Sequence, residues 1–330
     1  MQKTIRVLAL LLGAQLLLAL GLSATAPDLS ARPADAPLLG LDAAAVDRLT
    51  LSGPDGEEVT LSKTGDGWQL SDPDGFPASG AKVDGLLRQL TELKHGPAVA
   101  TSSGAQQRFK VAADSFERRI VLARGEQTLA TLYLGTSPAM RQSHARRDGD
   151  DRIYAVALAT YDVPVAAEDW LDKTVLRFAA SEITAIRLPE LTLQRVSQAP
   201  ADEDGDAATT PAWQAEPELA LDPEAVDALT DKLANLRIGS VLGREAKPEY
   251  GLDKPRLTLT VERKDAEALE YRLAKLEDDD AYVLKVSSRP EYFRLPGYTG
   301  DGLVEAASQE ALRAKPEAAA SSEQDAEPSA

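Results

Sequence analysis

The chain has 330 residues, 43% of them hydrophobic and 27% charged, so it is long enough to form two globular domains with real cores. Its formal net charge of -17 repels polyphosphate and anionic headgroups at long range, which excludes nucleic acid as an expected partner. Because the chain contains no cysteine, disulfides, thiolate nucleophiles and zinc–thiolate sites are excluded too.

The N-terminus has the features of an export signal. Lys3 and Arg6 precede an apolar run over residues 7–24, and a helix of roughly 18 residues covers about 27 Å, at the short end of what spans a bilayer. Ala24-Thr25-Ala26 has the form of a cleavage site, but Pro27 would then follow the cut and fits a peptidase poorly. We therefore predict an uncleaved signal anchor over residues 1–26, with a cleaved secretory signal as the alternative.

In both interpretations the basic end stays in the cytoplasm and the rest of the chain lies outside it. The anchor predicts a single-pass inner-membrane protein with its bulk on the periplasmic side.

Residues 27–40 are rich in proline and small residues, and we predict a linker there. Apolar and polar residues then alternate over residues 46–51 and 58–62, on either side of the turn sequence Gly53-Pro54-Asp55-Gly56. This pattern predicts a β-hairpin that leads to Trp68. Further strands are predicted at residues 118–123, 127–134 and 153–156.

An amphipathic helix is predicted over residues 79–94, between the hairpin and the later strands. Its apolar residues recur at three- and four-residue steps and form one stripe suited to lying on a sheet. They are Val83, Leu86, Leu87, Leu90 and Leu93. His95 is interpreted as a residue at the C-terminal end of this helix, where the helix dipole favours it.

The same order of features returns in the second half of the chain. Gly67-Trp68-Gln69-Leu70 matches Ala212-Trp213-Gln214-Ala215, and Asp222-Pro223 supplies an N-cap and a first helical proline for a second helix. Residues of the two helices match at one constant offset: Val83 with Val226, Asp84 with Asp227, Leu86 with Leu229, Leu90 with Leu233, and Leu93 with Leu236. We expect Trp68 and Trp213 to be core residues under these helices, with ligand stacking as the alternative.

These matches predict an α+β fold of two homologous repeats after the N-terminal membrane anchor, each a mainly antiparallel sheet covered by one amphipathic helix. The repeats are predicted at residues 41–178 and 179–312. Residues 198–211 are interpreted as a solvated loop within the second repeat, and residues 313–330 as a disordered acidic tail. The second repeat's later strands are predicted at residues 256–261, 268–273, 282–286 and 292–295.

The most specific motif is Tyr250-Gly251-Leu252-Asp253-Lys254-Pro255, and Leu132-Tyr133-Leu134-Gly135 and Arg152-Ile153-Tyr154-Ala155-Val156 accompany it. With these motifs the chain resembles the bacterial domain of unknown function 4340 family over most of residues 41–312. The resemblance implies a membrane-anchored, envelope-facing protein, in some cases encoded beside ABC-type transport systems linked to gliding motility. It implies no catalytic residue. In the first repeat Phe109-Lys110-Val111 stands at the motif position, so the glycine is lost there.

Candidate interaction residues fall in two places. A basic concentration in this acidic protein could bind an anion or an acidic partner surface, or it could be a hairpin whose charges face water. It consists of Arg141, His144, Arg146, Arg147 and Arg152. In the second repeat, Tyr250 and Gly251 could line a binding groove, although a glycine in a turn more often supplies backbone freedom.

Three acidic clusters, at residues 148–151, 202–206 and 278–280, could hold a hard cation, but such runs are more often solvated turns. No metal or cofactor site is predicted. The sequence contains no nucleophile elbow, P-loop or zinc-protease motif. We therefore expect a non-enzymatic interaction or accessory module with a protein partner in a membrane complex, of the ABC-transport-associated kind that the resemblance implies. The alternatives are a module that binds a small molecule, glycan or peptide in the groove between the repeats, and an envelope hydrolase.

Overall fold

The computed structural model describes Gln15 and residues 36–314, apart from residues 66, 72–74, 197–211 and 278. The predicted anchor, except for Gln15, the predicted solvated loop and most of the predicted tail lie outside the described residues. Within the described part of the chain, no helix is both long and apolar enough to cross a membrane.

The fold is α+β, with two large antiparallel sheets and few helices, as predicted. The strands are β1 (Ala36–Pro37), β2 (Arg48–Ser52), β3 (Glu58–Thr64), β4 (Gly67–Leu70), β5 (Lys94–His95), β6 (Val111–Ala112), β7 (Ser115–Phe116), β8 (Arg118–Arg124), β9 (Gln127–Leu134), β10 (Ser143–Arg147), β11 (Tyr154–Val156), β12 (Ile183–Arg187), β13 (Thr192–Val196), β14 (Ala212–Glu216), β15 (Ser240–Gly243), β16 (Leu257–Arg263), β17 (Ala266–Lys275), β18 (Ala281–Val286) and β19 (Tyr292–Pro296). The helices are α1 (Gly80–Thr91), α2 (Ser103–Arg108), α3 (Pro223–Ala234), α4 (Gly297–Ala306) and α5 (Gln309–Leu312). Short 3-10 turns lie at Ala43–Ala45, Thr160–Asp162, Ala167–Asp169, Ala180–Glu182 and Pro248–Tyr250.

The two large sheets share an order of strands. The first has the order β11-β10-β9-β8-β2-β3-β4, and the second has the order β14-β13-β12-β16-β17-β18-β19-β15. Read from β19, the second sheet runs β19-β18-β17-β16-β12-β13-β14, which is the order of the first sheet position by position. The second sheet differs by one additional strand, β15, beyond β19.

Contacts divide the chain into two compact units, one of Met1–Val59 with Asp84–Val165 and the other of Thr60–Val83 with Ala166–Ala330. These units have bounds other than the predicted repeats at residues 41–178 and 179–312, which stay a prediction.

The first unit begins before the predicted start at residue 41. Ala36–Pro37 pairs with Lys94–His95, and the Leu38 amide donates to the Leu93 carbonyl at 2.7 Å. Leu38 and Leu39 are buried. Residues 36–40 are therefore part of the fold rather than of the linker, because two adjacent leucines remove apolar surface from water here.

Helix α1 buries the predicted stripe, which confirms the periodicity argument. The buried residues are Val83, Leu86, Leu87 and Leu90. The helix ends at Thr91, however, and His95 lies in β5. The interpretation of His95 as a helix-terminal residue is therefore wrong, since the chain leaves the helix early enough to pair with β1.

Helix α3 of the second unit begins as predicted. The Asp222 side chain accepts a hydrogen bond from the Glu224 amide at 3.0 Å, and Pro223 occupies the first helical position. Its buried stripe contains Val226, Leu229 and Leu233.

The two matched tryptophans differ in burial. Trp68 is 5% exposed, which confirms it as a core residue. Trp213 is only partly buried, so its assignment to the core is wrong. It pairs with Arg195 across β13 and β14, and the Arg195 guanidinium lies 4.9 Å from the centre of the indole ring. The face of the Trp213 ring is therefore covered by a cation. A core tryptophan would have an apolar side chain there, which would exclude water.

Candidate functional site

The predicted basic residues of the first unit do not share one environment. Arg141, Arg147 and Arg152 are exposed, whereas His144 and Arg146 are 8% and 6% exposed. The interpretation of a hairpin with its charges in water is therefore wrong for the two buried residues. Both lie on β10, a strand that the sequence did not predict.

Arg146 is bound to the main chain of its own unit. Its Nε donates to the Val111 carbonyl at 2.7 Å, and its Nη1 lies 3.3 Å from the Asp150 carbonyl. Its guanidinium lies 4.8 Å from the centre of the Tyr133 ring. Guanidinium groups tolerate such burial because they are weakly hydrated and bind flat groups on their faces. This cation therefore stabilises the fold.

His144 is fixed in a similar way. Its ring stacks on Phe109 with centres 4.1 Å apart, and its Nδ1 lies 2.9 Å from the Thr136 carbonyl oxygen. The Thr136 hydroxyl oxygen lies 3.0 Å from the same nitrogen, so Thr136 holds the ring through both its main chain and its side chain. The second histidine, His95, has its Nδ1 2.9 Å from the Gly96 carbonyl. Both imidazoles thus use Nδ1 for a main-chain contact.

The exposed Arg152 pairs with Asp150 close by in sequence. Arg152 Nη2 lies 2.8 Å from Asp150 Oδ2, and Arg152 Nε lies 3.0 Å from Oδ1. The hydrogen bond from Arg152 holds the pKa of the Asp150 carboxyl below its usual value. Exposed pairs of this kind contribute little to stability, so the pair mainly fixes the local turn.

The motif that begins at Tyr250 has a left-handed turn, and the first unit keeps that turn without the glycine. Gly251 has φ 63° and ends the 3-10 turn, and Lys110 has φ 54°. In each case the following residue's carbonyl accepts from an arginine: Leu252 from Arg272, and Val111 from Arg146. Lysine therefore replaces the motif glycine while the backbone conformation is retained, at some cost in strain.

Tyr250 lies at the edge of a cavity in the second unit. It is 4% exposed, its hydroxyl donates to the Leu242 carbonyl at 3.1 Å, and its ring centre lies 5.2 Å from that of Tyr292. The cavity has a volume of about 550 Å³, within the range of about 300–1,000 Å³ that is usual for small-molecule sites. Its lining residues are Ala246, Lys247, Pro248, Tyr250, Leu252, Asp253, Arg272, Lys285 and Tyr292.

Three cations line this cavity: Lys247, Arg272 and Lys285. Lys285 Nζ donates to the carbonyls of Arg289 at 2.5 Å and Pro290 at 2.8 Å. Burial lowers the pKa of the Lys285 ammonium, and the Glu291 carboxylate raises it in part. Sequence reasoning missed all three cations. Only strand register brings residues 272 and 285 together, and Lys247 precedes the motif that begins at Tyr250.

Among the described residues, no group of three or more histidine, aspartate or glutamate side chains is arranged to hold a metal ion. Two of the three acidic clusters have carboxylates that pair with arginines. Asp150 pairs with Arg152, and Asp279 pairs with Arg294 at 2.5 Å. Asp278 and the cluster at residues 202–206 lie outside the described part of the chain.

Comparison with known proteins finds a family model that matches the chain in two places. The family model described as "Domain of unknown function (DUF4340)" matches residues 68–255 and, overlapping them, residues 212–315. Neither a curated protein nor a solved structure matches the chain.

Proposed function

Because the chain belongs to the DUF4340 family of domains of unknown function, we propose that it is a non-enzymatic accessory module of a membrane complex. Residues 1–26 anchor it in the inner membrane, and its bulk contacts a protein partner on the periplasmic side. An ABC-type transport complex is the kind of assembly that we propose for it. The anchor rests on the basic residues and apolar run of the N-terminus.

One observation carries the non-enzymatic role. Arg146 and the two histidines are side chains that catalysis would use, and each has a nitrogen within hydrogen-bond distance of a main-chain carbonyl oxygen. They therefore hold strands and turns in place. Among the predicted basic residues, Arg141 and Arg147 are exposed and lie outside the Arg152–Asp150 pair. We assign them to partner contact, where rim charges set specificity and association rate.

We also propose that the two halves are homologous repeats. The shared strand order supports this, as do the two family matches, which begin at residues 68 and 212 beside the paired tryptophans. A crystal structure should superpose Val83 on Val226 when the two sheets are aligned. A different strand order in the two halves would contradict the duplication.

Affinity capture of the tagged full-length protein from solubilised membranes tests the accessory role. We expect a stoichiometric membrane partner whose recovery falls for Arg147→Glu and stays unchanged for Arg237→Glu, a matched charge reversal at an exposed residue of the second unit. Recovery of no partner, or equal loss in both variants, would contradict the proposal. N-terminal sequencing tests the anchor, because a chain that begins at Pro27 would be a secreted protein.

A second candidate function, capture of a small molecule, is favoured by the cavity beside Tyr250. It has the volume of a ligand site, and aromatic and cationic side chains converge on it.

A further inference from the structure

The floor of the cavity beside Tyr250 is a row of side chains on three neighbouring strands. Arg272 on β17 lies directly opposite Lys285 on β18, and Lys285 lies opposite Tyr292 on β19. Opposed side chains in an antiparallel pair lie side by side, and like charges there destabilise the sheet. A negative group beside these two adjacent cations would therefore stabilise the sheet.

Glu291, the acidic residue whose charge acts on Lys285, is that negative partner only in part. The Glu291 side chain is 2% exposed and accepts from Arg244 Nη2 at 3.2 Å and from Arg289 Nε at 3.0 Å. Two arginines thus already neutralise it.

Within the cavity lining, Asp253 is the one carboxylate, against three cationic side chains. Lys247 adds the third cation from the loop that precedes Tyr250. Lys247 also pairs with Glu249 at 3.6 Å, but that carboxylate does not line the cavity. The excess positive charge is local, in a chain whose net charge is -17.

Arg272 is placed to bind such a partner directly. A guanidinium has five N–H donors, and the Leu252 carbonyl accepts from one nitrogen, Nη2. Lys285 acts mainly through its charge, because its ammonium donates to main-chain carbonyls and lies 4.9 Å from the centre of the Tyr292 ring. The ring and the Leu252 side chain give the same cavity an apolar wall.

We propose that this cavity binds a small organic anion, a phosphate or carboxylate carried on a flat or apolar body. The anionic group lies between Arg272 and Lys247, and the body lies against Tyr292 and Leu252. This inference rests on the second candidate function, small-molecule capture, and names its ligand class.

Titration calorimetry on the purified protein with phenyl phosphate tests the proposal, with benzyl alcohol as a neutral ring and inorganic phosphate as an anion without a ring. We expect phenyl phosphate to bind more tightly than either. Loss of one charged hydrogen bond corresponds to roughly a tenfold or larger rise in Kd, so Lys247→Gln and Arg272→Gln should each weaken binding by at least about that factor. Lys254→Gln is the matched control, because Lys254 is an exposed lysine of the same loop that does not line the cavity.

Absence of phenyl phosphate binding, equal affinity for benzyl alcohol or inorganic phosphate, or equal weakening by Lys254→Gln would each overturn the proposal. If Arg272→Gln fails to fold, the two lysine variants still decide the matter, since both side chains are exposed. The Lys247→Gln protein should still capture the membrane partner. Loss of anion binding is therefore distinguishable from loss of the accessory role.

Discussion

Truncation of the two matched tryptophans should cost unequal amounts of stability. Trp68 is 5% exposed, so Trp68→Ala removes a large core side chain and leaves a cavity, at a cost of about 3–5 kcal/mol. Trp213 is partly exposed and covered by Arg195. Its truncation forfeits a smaller burial and one cation–π contact, together about 1–2 kcal/mol.

Differential scanning calorimetry measures both changes. In a unit of this size 1 kcal/mol shifts Tm by about 2–4 °C, so Trp68→Ala should lower Tm by about 6–20 °C and Trp213→Ala by about 2–8 °C. Trp68→Phe is the control, because it retains a buried ring and should recover most of the loss. Equal shifts for the two alanine variants would refute the argument from burial, and an unchanged Tm for Trp68→Ala would refute its place in the core.

Further predictions concern buried polar groups and glycines. Arg146→Met leaves a buried carbonyl without its donor and should lower the free energy of unfolding by about 1–3 kcal/mol. The surface change Arg147→Met should lower it by less than about 0.5 kcal/mol. Urea titration measures both values, and equal losses would contradict a structural role for the buried Arg146. A methyl group at Gly135 would overlap main-chain carbonyls, so Gly135→Ala should lower Tm by the equivalent of about 2–4 kcal/mol. Gly85→Ala, where the helix leaves open space, should raise stability by about 1 kcal/mol, and a lower Tm there would contradict the packing. Burial and a hydrogen bond to a carboxylate raise the pKa of the Tyr282 hydroxyl to about 12. The contribution of the Tyr282 hydroxyl to the free energy of unfolding is therefore complete below pH about 10 and is lost as the pH rises toward 12. The urea midpoint should consequently fall less over that pH range in Tyr282→Phe than in the wild type.

Periodic segments were predictable from sequence, and segments fixed by tertiary contacts were not. Helices α1 and α3 have apolar residues at helical spacing, which one face of a sheet can bury. Strand β10 reads Ser-His-Ala-Arg-Arg and lacks apolar alternation, yet stacking and main-chain acceptors bury His144 and Arg146. Helix α4 begins Gly-Tyr-Thr-Gly, which has poor helix propensity. A side chain at Gly300 would overlap the Tyr282 ring, so close packing accounts for that glycine.

The candidate site divides in the same way. Tyr250 and Gly251 could be singled out because their motif is specific and local. Arg272 and Lys285 lie on separate strands, and each looks like an ordinary polar position in an alternating pattern. Their opposition depends on the register of β17 against β18, which a one-residue slip would destroy.

The outer strands of both large sheets are short, which limits how far another chain can add a strand to either sheet. The outer strands β11, β4, β14 and β15 have three, four, five and four residues, whereas the interior strands β9 and β17 have eight and ten. An unpaired edge is a template on which another chain can add a strand, and a short edge offers few main-chain groups for that addition. The two longest of the described strands are therefore paired on both sides. Substitutions that lengthen β11 or β4 should promote fibrillar association before they change the fold.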